Sequence, residues 1–201
     1  MKEYDIDYDS FIGGWYMPEE VCDSVVDVLN SEQDNLVEGG IFLFDEDGKK
    51  SNESRHDWKK CKELFIQSNE FGKISKYIEN LSVCLELYKE RYSHCDDVAF
   101  YGLNNSEVKI QHYMPGDGFY RWHCENAGYG VNLYRHLVFM TYLNTLDNAG
   151  TDFYYQKTTT PCEKGLTLIW PAAWTHTHRG VTNYKGEKTI ITGWFCFDAD
   201  Q

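Results

Sequence analysis

The chain has no apolar run approaching the ~18 residues of a membrane span, so no transmembrane helix is predicted. Its first residues, Met1-Lys2-Glu3-Tyr4-Asp5, are acidic and lack an apolar signal core, which makes a cytoplasmic location the expectation. No CxxC pair occurs among the scattered Cys22, Cys61, Cys84, Cys95, Cys124, Cys162 and Cys196. That spacing excludes a zinc ribbon, and the odd count reads as reduced thiols. No repeat and no low-complexity stretch appears. Positive charge is scarce, with 19 Lys and Arg against 32 Asp and Glu and a net charge of −13 at pH 7. So acidic a chain repels phosphate backbones, which argues against nucleic acid as a partner.

What is present points to a folded, β-rich molecule. A length of 201 residues suits one domain over 1–201 better than two. Hydrophobic residues at 42% and charged residues at 25% lie in the globular range and supply enough apolar surface for a core. Aromatics reach 16%, which suits strands or an aromatic-lined pocket.

The hydrophobic period divides the chain near residue 98. Residues 1–16 read as an edge strand or arm. Pro18-Glu19-Glu20 opens a helix whose apolar face is Val21, Val25, Val28 and Leu29. Residues 31–56 read as loop, interrupted by the apolar run Ile41 to Phe44. A second helix is predicted over roughly 57–69, and a third on Ile74, Tyr77, Ile78, Leu81, Cys84, Leu85, Tyr88 and Tyr92. After residue 98 the period is two, with strands predicted at 108–112, 136–143, 151–156, 166–170 and 189–197. The expected fold is mostly β with flanking helices. Residues 1–97 form a mainly helical support, and residues 98–198 form a double-stranded β-helix core of the jelly-roll, cupin-like kind.

The β half holds the residues with chemistry. On an extended strand, side chains two apart share a face, so His123 and Glu125 point together with Cys124 opposite. Downstream, His176 and His178 share parity in the same way. Two histidines and one carboxylate make the facial set of non-haem Fe(II) oxygenases, which leaves three positions for co-substrate and dioxygen. An isolated HxE is common by chance and reads equally as a His bonded to a carboxylate. The spacing also leaves open which downstream His joins the set.

The flanking residues carry a resemblance. Tyr113-Met114-Pro115-Gly116-Asp117-Gly118-Phe119-Tyr120-Arg121-Trp122-His123-Cys124-Glu125 resembles the stretch before the first iron ligand of prolyl hydroxylases. Its closest likeness is to the hypoxia-factor type, with Met114 inserted before Pro-Gly. Arg135 to Asn144 is similar to that family's next strand, which ends in Tyr-Leu-Asn. Pro171 to Gly180 resembles the turn holding the last iron ligand. Lys185-Gly186-Glu187-Lys188 with Gly193-Trp194 resembles the C-terminal signature of the procollagen type. The ordered resemblance covers about residues 98–198, and the chain looks like a prolyl 4-hydroxylase-like, 2-oxoglutarate- and Fe(II)-dependent dioxygenase.

The resemblance implies roles residue by residue. Iron falls to His123, Glu125 and His178, with His176 as a hydrogen-bonding support behind the ligands. His178 is preferred because Xaa-Gly follows it and because it lies ten residues before Lys188. Lys188 pairs with the distal carboxylate of 2-oxoglutarate, Tyr142 donates to the same carboxylate, and Tyr113 lines the other end. Arg135, Tyr120 and Trp194 match substrate-contacting positions. Arg135 and Tyr142 differ by an odd number, so strict alternation would separate them unless Arg135 lies at the strand mouth. Glu125 stands where the family usually has Asp, which adds a methylene to the ligand and could shift the iron geometry.

The implied cofactors are Fe(II), 2-oxoglutarate and O2, with ascorbate possible as reductant. The implied reaction is hydroxylation of an unactivated C–H, first of all in a prolyl residue of a peptide or protein, releasing succinate and CO2. Hydroxylation of another side chain or of a free small metabolite is the alternative. A non-catalytic jelly-roll binding module is the alternative of another class, and a structural metal site on His176 and His178 is disfavoured because no Cys has ligand spacing to them. Trp122, Trp170, Trp174 and Trp194 near the motifs suit a dry pocket. Residues 31–56 and 124–134 are candidate lids. The oligomeric state is left open, with the first strand a possible pairing edge.

Overall fold

The computed structural model describes residues 1–41, 56–103, 107–128 and 130–198. The apolar run from Phe42 and most of the first candidate lid lie outside them, as does Tyr129. In chain order the strands are β1 (Lys2–Glu3), β2 (Gly13–Tyr16), β3 (Val37–Glu38), β4 (Lys59–Lys60), β5 (Lys62–Gln67), β6 (Tyr101–Gly102) and β7 (Glu107–Tyr113). Then come β8 (Gly118–Phe119), β9 (Arg135–Tyr142), β10 (Leu146–Phe153), β11 (Thr158–Cys162), β12 (Leu166–Pro171), β13 (His178–Gly180) and β14 (Lys188–Phe197). The α-helices are α1 (Glu19–Ser31) and α2 (Ser75–Arg91).

The main sheet runs β1-β2-β12-β9-β14-β7-β5-β3, with β6 also pairing β14. A smaller sheet runs β11-β10-β13, and β4 pairs β8. Two sheets of this kind facing one another are the jelly-roll arrangement expected from the sequence.

Alternation along the strands separates two cores. Leu64, Ile66, Val108, Ile110, Leu137, Phe139, Ile191 and Phe195 pack with the helices. Their neighbours Val138, Met140, Tyr142, Ile190 and Trp194 pack on the other face with Phe153 and Ala149 of the smaller sheet. The strands therefore carry apolar residues on both faces, as strands covered on both sides do. α1 buries Val21, Cys22, Val25 and Leu29, and α2 buries Tyr77, Leu81, Cys84 and Tyr88 at helical spacing. The Tyr77 hydroxyl lies 3.0 Å from Thr141 Oγ1, itself 2.8 Å from Thr167 Oγ1, so a buried polar chain ties α2 to the sheet.

Two local expectations fail. The helix predicted over roughly 57–69 is instead β4 and β5, followed by a 3-10 turn from Ser68 to Ile74. β5 buries Leu64 and Ile66 on one face and Glu63 on the other, so covering both sides erased the polar alternation that marks a strand. The stretch 1–97 accordingly adds strands of the main sheet to its two α-helices. The third predicted helix and the strands near 108–112, 136–143, 166–170 and 189–197 form where the period placed them, while the strand expected at 151–156 begins earlier, at Leu146.

The β10–β11 register slips between Leu146 and Thr151. At Gly150 in that irregularity, an added Cβ would lie 1.6 Å from the Thr160 carbonyl oxygen. Gly150→Ala should destabilise the protein by about 1–3 kcal/mol or more, as overpacking against backbone does. Gly72→Ala, where nothing lies within 4 Å, should leave the melting temperature nearly unchanged. Thermal unfolding followed by circular dichroism compares the two.

Candidate active site

β8 leads into an extended segment that carries His123 to the start of β13. The two backbones form an antiparallel bridge, with His123 N–H donating to the His178 carbonyl (3.0 Å) and His178 N–H to the His123 carbonyl (2.9 Å). Two residues on, Glu125 N–H donates to the Ala172 carbonyl at 3.1 Å. Side-chain ligand atoms of His123, Glu125 and His178 all lie within 4.8 Å of one another. Glu125 Oε1 is 3.4 Å from His123 Nε2 and 3.7 Å from His178 Nε2.

The tautomers follow from the backbone. His123 Nδ1 lies 2.9 Å from the Arg121 carbonyl and His178 Nδ1 lies 2.9 Å from the His176 carbonyl. A carbonyl only accepts, so both Nδ1 atoms carry the proton and both Nε2 lone pairs face the carboxylate. Phe119 stacks on His123 with centroids 3.5 Å apart, and Trp170 meets His178 edge-on at 5.1 Å. Burial, then the neighbouring His123, pushes the His178 pKa down to about 3, so this ring is neutral at pH 7. Burial alone would raise the Glu125 carboxyl. Its polar neighbours, among them the permanently charged Arg135 guanidinium, outweigh it and hold Glu125 well below the usual carboxylate range. Two bare imidazole nitrogens converging on a carboxylate oxygen repel one another unless a cation lies between them. This donor set fits a divalent metal with positions left open.

The other carboxylate oxygen is held from behind. Glu125 Oε2 accepts from Arg135 Nη1 (3.0 Å) and from Trp194 Nε1 (3.1 Å), and the guanidinium lies 3.5 Å over the Trp194 ring. Arg135 and Trp194, expected at the substrate, therefore both contact Glu125. A bulge resolves the parity conflict. Phe195 pairs with Leu137 but Cys196 pairs with Arg135, so one extra residue in β9 returns Arg135 to the Trp194 face. His176 turns its ring away, with Nε2 3.0 Å from the Ser10 carbonyl, and supports His178 through its own carbonyl. Tyr120 donates its hydroxyl to the Gly116 carbonyl at 2.8 Å. Trp174 is largely exposed, whereas Trp170 is buried.

Lys188 is the second feature of the site. It is 5% exposed, and its Nζ donates to the carbonyls of Ala149 (3.0 Å) and Val181 (3.2 Å). The Tyr113 ring lies 5.1 Å away. Among the described residues no carboxylate comes within ion-pair distance of it. Burial lowers its pKa to about 8. A buried ammonium without an acid partner is costly unless an anion joins it. Tyr142 is buried with its hydroxyl 2.8 Å from Thr151 Oγ1 and 3.1 Å from Thr160 Oγ1, and burial raises its pKa.

Sequence reasoning missed a buried polar chain beside these residues. Lys59 pairs with Glu63, Gln111 Nε2 donates to the same Glu63 oxygen at 2.7 Å, and the Tyr113 hydroxyl donates to Gln111 Oε1 at 2.7 Å. Gln111 is legible, since it shares strand parity with Tyr113. Lys59 and Glu63 were hidden by the helical reading of their segment. At the second candidate lid, the Asn126 side chain donates to the carbonyls of Leu133 (3.3 Å) and Arg135 (3.2 Å) and so clasps the segment on itself.

A family model described as the 2OG-Fe(II) oxygenase superfamily matches residues 108–196. No curated protein matches the chain. Among solved structures, a Pseudomonas putida prolyl-4-hydroxylase superposes with a TM-score of 0.66 at 14% identity, covering 96% of this chain and 97% of that one. The viral collagen prolyl hydroxylase of Paramecium bursaria Chlorella virus-1, in a 2OG complex, gives 0.65 at 16% identity, covering 94% and 96%. A Trichoplax adhaerens prolyl hydroxylase in complex with a hypoxia inducible factor peptide fragment gives 0.68 at 17% identity, covering 93% and 84%. These likenesses establish a shared fold. No described helix is long and apolar enough to cross a membrane.

The pKa of Lys188 makes stability depend on pH. Between pH 8 and the ordinary lysine value of 10.5 the unfolded chain binds more protons than the folded one, so this contribution rises with pH across that window. Lys188→Met should be more stable than the wild type below pH 8, with the difference closing toward pH 10.5. Urea melts of both proteins at several pH values, without ligand, measure it.

Proposed function

We propose, from the premise that this chain is a 2-oxoglutarate- and Fe(II)-dependent dioxygenase with the superfamily's domain over residues 108–196, that it hydroxylates an unactivated C–H of a prolyl residue in a peptide or protein, releasing succinate and CO2. The observation that carries this reading is the pairing of two unsatisfied features. Three donors converge where a cation belongs, and one buried ammonium lacks the anion it needs.

His123, Glu125 and His178 would hold the iron. When bound, the metal supplies the redox chemistry that couples oxidation of 2-oxoglutarate to insertion of an oxygen atom into the C–H bond. The chain's own residues do the rest. The Arg121 and His176 carbonyls fix each imidazole so that Nε2 faces the metal. Arg135 and Trp194 take Oε2 of Glu125 and leave Oε1 facing the two Nε2 atoms, where it would join them in holding the metal. Lys188 receives the distal carboxylate of 2-oxoglutarate through the ammonium proton that Ala149 and Val181 leave free. Tyr142 stays protonated and adds a hydroxyl to that end of the pocket, and the Tyr113 ring packs against the ammonium. Phe119, Phe153 and Trp170 exclude water around the histidines. Tyr120 and the Arg135–Trp194 stack stand at the substrate side, with the stack also bracing Glu125.

Iron-loaded protein supplied with 2-oxoglutarate should release succinate with a proline-containing peptide, and the peptide should gain one oxygen atom by mass spectrometry. Succinate released only with non-prolyl substrates would overturn the prolyl assignment. Lys188→Met should weaken 2-oxoglutarate binding by roughly 30-fold or more, the effect of removing one partner of a buried charge pair. Wild-type affinity should decline as pH rises above 8, because only the protonated amine pairs with the carboxylate. Calorimetry on the metal-loaded protein checks both.

A further inference from the structure

Lys109 stands on the inner face of the main sheet beside Trp194, and the proposed reaction does not use it. It lies on β7 with Gln111 and Tyr113, and the even spacing puts all three on one face of the strand. Tyr113 packs in the inner core, which fixes that face as the inner one. Across the sheet Lys109 pairs with Thr192 on one side and Phe65 on the other. Its Nζ lies 5.0 Å from the Trp194 ring and 4.9 Å from the Phe65 ring. The same Trp194 donates to Glu125 at 3.1 Å, so one indole links the Lys109 ammonium to the triad carboxylate.

The charges there are unevenly shared. Lys59 pairs with Glu63, and Arg135 pairs with Glu125, all four of them largely enclosed. Lys109 is left with Glu107, 3.3 Å away, whose side chain is 35% exposed. A partner in that much water is screened and holds its cation weakly. The Lys109 side chain itself is only 14% exposed. Burial lowers its pKa, and Lys59 and Arg135 add to that against the pull of Glu63 and Glu107. A cation so enclosed gains from an anion that is enclosed with it.

We propose that Lys109 selects the substrate by receiving a carboxylate from the residue next to the hydroxylated proline, an Asp or Glu side chain. The inference rests on the prolyl reading above, which puts the target proline at the Arg135–Trp194 stack. Consecutive Cα atoms lie about 3.8 Å apart. A proline held against Trp194 therefore brings its neighbour's side chain within reach of an ammonium 5.0 Å from the same ring. The charge of the whole chain narrows the choice. At −13 the molecule repels an acidic tract, so the preferred peptide carries its carboxylate beside the proline and is otherwise uncharged. The exchange breaks no buried pair. The substrate carboxylate takes Lys109 from Glu107, and Glu107 turns to water, where part of its side chain already lies.

The test compares the wild type with Lys109→Met, Lys109→Arg and Glu107→Gln. Each full-length protein is held anaerobically with Fe(II) and 2-oxoglutarate, and peptide binding is measured by calorimetry. The probes are a short peptide with Glu on both sides of its proline, its counterpart with Gln there, and a peptide ending in proline as free acid and as amide. The wild type should bind the Glu peptide roughly tenfold or more tighter than the Gln peptide, as a close charge pair does. Lys109→Met should cancel that preference, and Lys109→Arg should keep it. Glu107→Gln should enlarge it, because the competing carboxylate is gone. Equal affinity of the wild type for the two peptides, or a preference that survives in Lys109→Met, would overturn the proposal. So would a preference shown only by the free acid of the terminal proline, which would give Lys109 an α-carboxylate instead. Mass spectrometry after oxygen is admitted separates the two readings. A preference for the Glu peptide with no oxygen gained by any peptide would uphold the carboxylate site and defeat the prolyl reading. Oxygen gained alike by Glu and Gln peptides that bind equally would do the reverse.

Discussion

The site depends on two backbone hydrogen bonds, between His123 and His178, made in both directions. They join segments far apart in the chain and set both imidazoles on one face. Because the bond lies in the backbone, the side chains are left to the chemistry. The same economy appears at the Nδ1 atoms, which are satisfied by the carbonyls of Arg121 and His176. A neutral ligand nitrogen therefore needs no acidic partner in this acidic protein.

Two charges behind the pocket are treated in opposite ways. Glu125 is braced by Arg135 and Trp194 through one oxygen, and it stays ionised despite burial. Lys188 receives only two carbonyls, and its pKa falls to about 8. In the proposed reading the first arrangement prepares a metal ligand, and the second holds a place for an anion. Lys59, Glu63 and Gln111 then fix Tyr113 by a chain of hydrogen bonds that directs its hydroxyl proton to Gln111. Tyr113 thus turns its ring, rather than its hydroxyl, to the Lys188 ammonium.

Strand parity made much of the site legible. It paired His123 with Glu125, and it placed Lys188 on the face of Ile190 and Trp194, where the structure puts Ile190 and Trp194 in the inner core. Where alternation is broken or masked, the sequence is silent. The bulge that returns Arg135 to the Trp194 face shows only as a register slip between two strands, a nonlocal event. The strand from Lys62 to Gln67 read as helix because both of its faces are covered. His176 has the parity of a ligand, but its ring is drawn off by the Ser10 carbonyl from the other end of the chain. Trp174 sits among the motifs in sequence and on the surface in space, because the 3-10 turn from Trp174 to His176 carries it outward.

The most direct test of this account is an anaerobic titration of the full chain with Fe(II) and then 2-oxoglutarate. The visible metal-to-ligand charge-transfer absorption is followed in the wild type, His178→Ala and His176→Ala, each checked for native circular dichroism. The account predicts the band in the wild type and in His176→Ala, and its loss in His178→Ala. A band that survives in His178→Ala, or none in folded, iron-loaded wild type, would contradict it.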